Sequence, residues 1–442
     1  MLKRINIFYL IISIFLYIIL FNNSSDEFNF IVPLAIFTTI IYSITLHLSC
    51  QIQKSRTMLS IEVLIYSAIF IFLYNSISYT YRGNFFLFSE SDAVFYETQV
   101  LKLIDMPFSE AIAYYLTYMS LDDLGMILIL LPLYYINDSN LLLNLFYLFV
   151  NILIALNIFS LSQNFMSKKY AFLVSVSYTL SSFSLFFHSS GLKESFMVLL
   201  IILSYNFYYK FLKNKNFLYL LLSLMFISSL LFFRPAISAM IIISLGLGSI
   251  LQKKAGFTIK IISSLIIIFL IAIADILIAI VNHYMVGGFD TLIYSRESEG
   301  MIIGSLSFTY AVNILAQLIG PLPTLISENK VMLTFFAPGL IYRILLSFPF
   351  WLGVLYIYKT KNDKLYPLAF FVIMEMSALA LLLEGLEFRK ALPHIGIVFI
   401  IAFWFMDKYD NRLIIVKRKV FRIFFVFSMF ILGMLIFLWN LK

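Results

Sequence analysis

The chain has little charge and almost no cysteine. Asp, Glu, Lys and Arg make up 12% of its 442 residues, about half the share in a soluble globular domain. The one cysteine, Cys50, excludes an internal disulfide and a cysteine-rich metal site. The four histidines are scattered, which argues against a metal centre, and no metal or cofactor is expected. There is no phosphate-binding Gly-rich loop, no HExxH and no nucleophile elbow. Ten-residue alternating strands are missing, which argues against a β-barrel. No polar stretch is long enough to bury a core of its own, so residues 1–442 read as a single transmembrane domain. No cleavage pattern follows the first apolar run, so Ile5–Phe21 reads as a retained helix. No internal repeat is evident.

What the chain has instead is hydrocarbon. Apolar residues make up 62% of it, and the mean hydropathy is +0.98. Runs of about 20 apolar residues recur, each able to span a bilayer as a helix. The expected class is an all-α, polytopic integral membrane protein. The net charge of +8 lies in short loops, where it sets orientation rather than forming a nucleic-acid patch. Lys3 and Arg4 put the N-terminus in the cytoplasm. Basic loops recur at Gln51–Arg56, Lys168-Lys169, Lys210–Lys215, Lys253–Lys260, Lys359–Lys364 and Asp407–Arg422.

Spans fitted between these loops are Phe30–Cys50, Leu59–Thr80, Tyr170–Phe187, Ser195–Lys210, Phe217–Phe233, Ala236–Leu251, Ile261–Asn282, Phe335–Tyr358, Leu365–Leu383, Ala391–Met406 and Val420–Trp439. Two large extracytoplasmic loops follow from that alternation, 81–124 and 283–334. One stretch resists the count. Between the first outer loop and Lys168 the crossings must be odd in number, yet Gly125–Tyr135 and Leu141–Leu161 offer two. Either the first is re-entrant or the amphipathic Met106–Tyr118 also crosses. The count is about 13 helices.

Ionisable groups near bilayer depth are costly, and they tend to be functional or paired. The outer face collects several. A polar island, Ser89-Glu90-Ser91-Asp92, is followed by Glu97. Ser190-Gly191-Leu192-Lys193-Glu194 opens a helix, and Arg234-Pro235 marks a tight turn. The long loop holds Asp290, Arg296, Glu297 and Glu299. The last holds Glu384, Glu387, Arg389, Lys390 and His394. Each has a plainer reading. Asp92 fits a helix cap, Lys193 and Glu194 can pair with each other, Arg389 can snorkel to headgroups, and His394 can pack. Asp275, Arg343 and Glu375 lie deep in spans, as paired charges, a polar floor or a proton relay.

Arg and Lys suit a pyrophosphate. A carboxylate suits deprotonation of an attacking sugar hydroxyl. Apolar grooves between helices suit a polyprenyl tail. Together these describe a transferase that uses a polyprenyl-linked donor at an extracytoplasmic surface.

Four segments carry a resemblance: Ser91-Asp92-Ala93-Val94-Phe95-Tyr96, Ser190–Glu194, Phe233-Arg234-Pro235, and Gly320-Pro321-Leu322-Pro323 with the later Glu387-Phe388-Arg389. The layout resembles the Wzy-type polymerases of O-antigen and capsule repeat units. It is also similar to polytopic glycosyltransferases of the C-type fold, although their acidic motif usually follows the first helix rather than the third.

The resemblance implies an enzyme of the bacterial cytoplasmic membrane that joins undecaprenyl-pyrophosphate-linked oligosaccharide units, with the bilayer and a chain-length regulator among its expected partners. It implies Asp92 near the acceptor or donor head and Lys193, Arg234 and Arg389 near the pyrophosphate. With the polar residues read above, the expected site has Asp92 and Glu194 as catalytic residues, and Glu90, Lys193, Arg234, Arg296, Arg343, Arg389 and His394 as substrate-binding. Two other functions remain open on the sequence. One is transfer from an undecaprenyl-phosphate monosaccharide, and the other is flipping of a lipid-linked oligosaccharide.

Overall fold

A computed structural model of the chain describes residues 1–22, 28–49, 51, 55–82, 92–118, 123–251, 304–320, 333–411 and 418–440, with isolated positions at 264, 294, 297, 298, 302 and 322. Every regular element among these residues is helical. Hydrocarbon offers no partners to backbone N–H and C=O groups, and a helix satisfies them internally.

Helices α1 (Leu2–Asn22), α2 (Phe28–Ser49) and α3 (Arg56–Arg82) follow the expected spans. Three short helices come next: α4 (Asp92–Leu103), α5 (Phe108–Tyr118) and α6 (Leu124–Ile136). Then follow α7 (Asn140–Ser162), α8 (Lys168–Thr179), α9 (Ser182–Ser189), α10 (Glu194–Asn214), α11 (Phe217–Ser229) and α12 (Pro235–Leu251). The last five are α13 (Leu306–Ile319), α14 (Leu333–Thr360), α15 (Tyr366–Leu381), α16 (Leu392–Asp410) and α17 (Arg418–Asn440).

Six of these are long and apolar enough to cross a membrane: α3, α7, α10, α14, α16 and α17. The bent pair α8–α9 makes a seventh. The chain is an all-helical membrane protein. The expected count of about 13 also included shorter apolar helices, and the expected span Ile261–Asn282 lies outside the described residues.

Helix length bears on the parity problem. At 1.5 Å per residue, α5 and α6 reach only about 16 and 20 Å, short of a hydrocarbon core of about 30 Å. Between α3 and Lys168, only α7 is a full-length candidate among the described residues.

Two expectations changed. Tyr170–Phe187 read as one span, but the helix breaks by 56° between α8 and α9. The Ser181 hydroxyl accepts from the Ser184 N–H at 3.2 Å and caps a new helix there, the competition with helix continuation that serine offers. The Ser182 hydroxyl takes the Gly339 N–H at 2.9 Å. The loop at 283–334, in turn, contains α13, and α14 begins at its end.

Helix α16 is the centre of the bundle. Every residue from Leu392 to Asp407 is buried, which suits a helix apolar on all sides. Helices α14, α15, α10 and α8 pack around it. Helices α3 and α17 are peripheral and expose rings and aliphatics such as Phe72, Phe427 and Phe430.

The bundle has two chemically distinct ends. At one, the Ser167 N–H and hydroxyl donate to Asp407 at 3.0 and 2.6 Å, and the Tyr170 hydroxyl donates to Asp410. The Tyr209 hydroxyl, near the end of α10, donates to the Lys364 carbonyl. The basic loops at 168–169, 210–215 and 359–364 therefore share this end with Lys408. The N-termini of α4, α6, α10 and α16 meet at the other.

Phe233 ties that second end together. Its ring stacks on Phe196 at 6.2 Å and lies where a Cβ on Gly125 would sit, 2.5 Å away. Gly125→Val should force the ring out and cost about 1–3 kcal/mol. Thermal unfolding in detergent would read that as a lower midpoint, and an unchanged midpoint would contradict this packing.

Candidate functional site

Arg389 stands on a short turn just before α16. Its Nη1 donates to Asp92 at the start of α4, and its Nε lies 3.4 Å from the Glu194 Oε1 at the start of α10. Three segments far apart in sequence thus meet on one guanidinium. The rigid fork of arginine allows it to hold two carboxylates at once. The Glu194 side chain is only 2% exposed, whereas those of Arg389 and Asp92 are 24% and 35% exposed. The second Glu194 oxygen is buried without a hydrogen-bond partner.

Neighbouring pairs complete the rim. Lys193 donates to the Asp123 Oδ1 at 2.7 Å, and the Tyr96 hydroxyl donates to the same oxygen at 2.8 Å. Burial and the Asp123 carboxylate raise the Tyr96 phenol far above its usual range, so it stays a neutral donor. Burial also raises the Glu97 carboxyl, and the Tyr134 hydroxyl bonded to it at 3.2 Å pulls the other way. Lys390 sits between Glu384 at 2.6 Å and Glu387 at 3.3 Å.

Among the described ion pairs at this end, five carboxylates (Asp92, Asp123, Glu194, Glu384, Glu387) meet three cations (Lys193, Arg389, Lys390). The bland pairing of Lys193 with Glu194 does not occur; each has its own partner. Arg389 is fixed by carboxylates rather than snorkelling. Arg234, beside Phe233, makes no side-chain hydrogen bond or ion pair among the described residues.

One to two turns below Arg389 lies a buried polar chain. Arg343 Nη2 donates to His394 Nε2 at 3.3 Å, and His394 Nδ1 lies 3.6 Å from the Glu375 Oε2. A guanidinium only donates, so Nε2 accepts and the imidazole proton sits on Nδ1, facing Glu375. All three side chains are buried, and Arg343 Nη1 has no hydrogen-bond partner. Gly320, at φ +99°, passes so close that a Cβ would sit 2.7 Å from that nitrogen. The Gly-Pro-Leu-Pro stretch thus starts with the residue that fits over a buried cation. The pairing of Arg343 with Glu375 runs through His394.

Asn313 and Gln317, one turn apart on α13, hold the segment that carries Arg389. The Gly385 N–H donates to Asn313 Oδ1 at 2.5 Å, and Gln317 Nε2 donates to the Gly385 carbonyl at 2.8 Å. Leu383, at φ +58°, is bent into the left-handed region two residues earlier, a conformation that only a well-held segment keeps.

Sequence reasoning named Asp92, Glu194, Lys193, Arg343, Arg389 and His394, and the fold brings them to one end or just beneath it. Glu90, Arg296 and Asp275 lie outside the described residues. Asp123, Asn313 and Gln317 were missed. Asp122-Asp123 before an apolar run was the available signal for the first; amides inside a helical pattern gave none for the others. Among the described residues no three His, Cys, Asp or Glu side chains gather as a metal site. No family model matches the chain, and no curated protein matches it.

Removing Arg389 strands Glu194. Arg389→Ala should cost about 3 kcal/mol, the low end for a broken buried pair because Arg389 is partly solvated. Adding Glu194→Gln should regain much of it, as thermal unfolding of both variants would show. Equal midpoints for the single and double variants would refute the ion cluster. Asn313→Ala and Gln317→Ala should each speed amide exchange across residues 382–391 and leave α16 unchanged. Unchanged exchange in that segment would refute the clamp.

Proposed function

We propose that the chain polymerises undecaprenyl-pyrophosphate-linked oligosaccharide repeat units at the outer face of a bacterial cytoplasmic membrane. It does so as a C-type-like glycosyltransferase with about 13 crossings and a cytoplasmic N-terminus. The observation that supports this best is the convergence of Asp92, Glu194 and Arg389 at the end of the bundle opposite the basic loops. Basic loops face the cytoplasm by the usual bias, which puts the carboxylates outside.

In this reading the donor pyrophosphate binds Arg234, which has no side-chain partner among the described residues, and competes with Asp92 for Arg389. Asp92 is the more exposed carboxylate, so it is the one displaced, and Glu194 stays. Released, the Asp92 carboxylate takes the proton of the acceptor sugar hydroxyl. That oxygen attacks the anomeric carbon as the bond to pyrophosphate breaks, and the arginines stabilise the departing charge. The products are the lengthened chain on the acceptor lipid and free undecaprenyl pyrophosphate.

A second reading rests on the Arg343–His394–Glu375 chain. Ionisable groups buried within spans also mark transporters, so a flippase for the same lipid-linked oligosaccharide remains a competitor.

Loss of the gene should leave single repeat units on the lipid anchor, still exported. Precursors trapped inside would favour the flippase, and loss of one side sugar from full-length chains would favour a monosaccharide transferase. Asp92→Asn should lower the polymerisation rate about 10²–10⁴-fold with normal insertion. Arg234→Ala should weaken donor binding. Full-length polymer from both variants would overturn the site assignment.

A further inference from the structure

A groove between α3 and α7 takes no part in the site described above. Its volume is about 640 Å³, within the range of small-molecule pockets. Apolar side chains such as Ile71, Phe72, Leu145 and Leu148 line it, together with two carboxamides, Asn75 and Asn144, and the hydroxyl-bearing Ser76 and Tyr79. None of its described lining residues is charged. Asn75 lies about two turns before the end of α3, and Asn144 about one turn into α7, so the groove opens in the half of the bundle nearest the ion cluster.

The two amides are the unusual feature. Asn75 is only 9% exposed. Neither carboxamide has a hydrogen-bond partner among the described residues, and neither is sealed away from the groove. Deeper between the same two helices, Asn151 shows what a satisfied amide looks like. Its Nδ2 donates to the Ser67 hydroxyl at 2.8 Å, and its Oδ1 faces His188 Nδ1 at 2.9 Å. An unpaired amide among apolar side chains is costly, and a bound polar group relieves that cost.

The chemistry of the lining narrows the occupant. A carboxamide both donates and accepts, which matches hydroxyl and ester groups. A phosphate would call for Arg or Lys, and the described lining residues include none. We propose that this groove seats a neutral lipid, one apolar chain lying along α3 and α7 and a hydroxyl- or ester-bearing head bonded to Asn75 and Asn144. The site is independent of the polymerase reading, because its test measures binding and no turnover.

The full chain in nanodiscs would be labelled with a diazirine-bearing monoacylglycerol and the adducts mapped by mass spectrometry. Adducts are expected on residues 68–79 and 141–148. Unlabelled monoacylglycerol should displace the probe at concentrations about tenfold below those needed for an anionic lysophosphatidylglycerol of the same chain. The double variant Asn75→Leu with Asn144→Leu should lose about tenfold in labelling, the worth of two modest hydrogen bonds, and Asn75→Gln should keep most of it. Equal competition by the two lipids on the wild-type chain would overturn the proposal whatever the variants do. So would unchanged labelling in the double variant, or adducts elsewhere only.

Discussion

The guanidinium of Arg389 is the point on which the polar end of this bundle depends. Asp92 begins α4, Glu194 begins α10, and Arg389 precedes α16. Without a cation between them, two carboxylates would face each other at the edge of hydrocarbon. The ion cluster therefore fixes the register of three helices, and it couples the segment 382–391 to the first turns of α4 and α10. From the other side, α13 grips Gly385 through two amides. The same arginine is held through its side chain and through its backbone segment.

Beneath it, α16 links the exposed cluster to the buried one. His394 is five residues past Arg389, and it joins Arg343 on α14 to Glu375 on α15. The deep chain places a guanidinium and a carboxyl group on either side of an imidazole. Among the described ion pairs of the rim, carboxylates outnumber cations. In the proposed reading, a pyrophosphate reaches Arg389 only by exchange with a carboxylate. That makes the proposed chemistry a competition between substrate and protein for one guanidinium.

Much of the fold was legible in the sequence. Long apolar runs gave α1, α2, α3, α7, α10, α14, α16 and α17 with ends close to those expected, because hydrocarbon permits only helix there. The break in Tyr170–Phe187 was not legible. Serines inside an apolar run look alike whether they cap a new helix or face a neighbour, and the Gly339 N–H that engages Ser182 is 157 residues away. Helix α13 was hidden in a segment read as a loop, since its polar positions, Asn313 and Gln317, broke the apolar pattern. Those amides turned out to be its working contacts.

By itself the sequence determined the class, the position of most of the long helices, and the separation of basic loops from acidic segments. Those follow from solvation, which acts on each segment locally and leaves its mark in composition. Which charges meet was decided only in the tertiary structure. Lys193 chose Asp123 over its neighbour Glu194, and Arg389 chose two carboxylates over lipid. A side chain's partner depends on which helix ends are packed side by side, and no local run of residues records that.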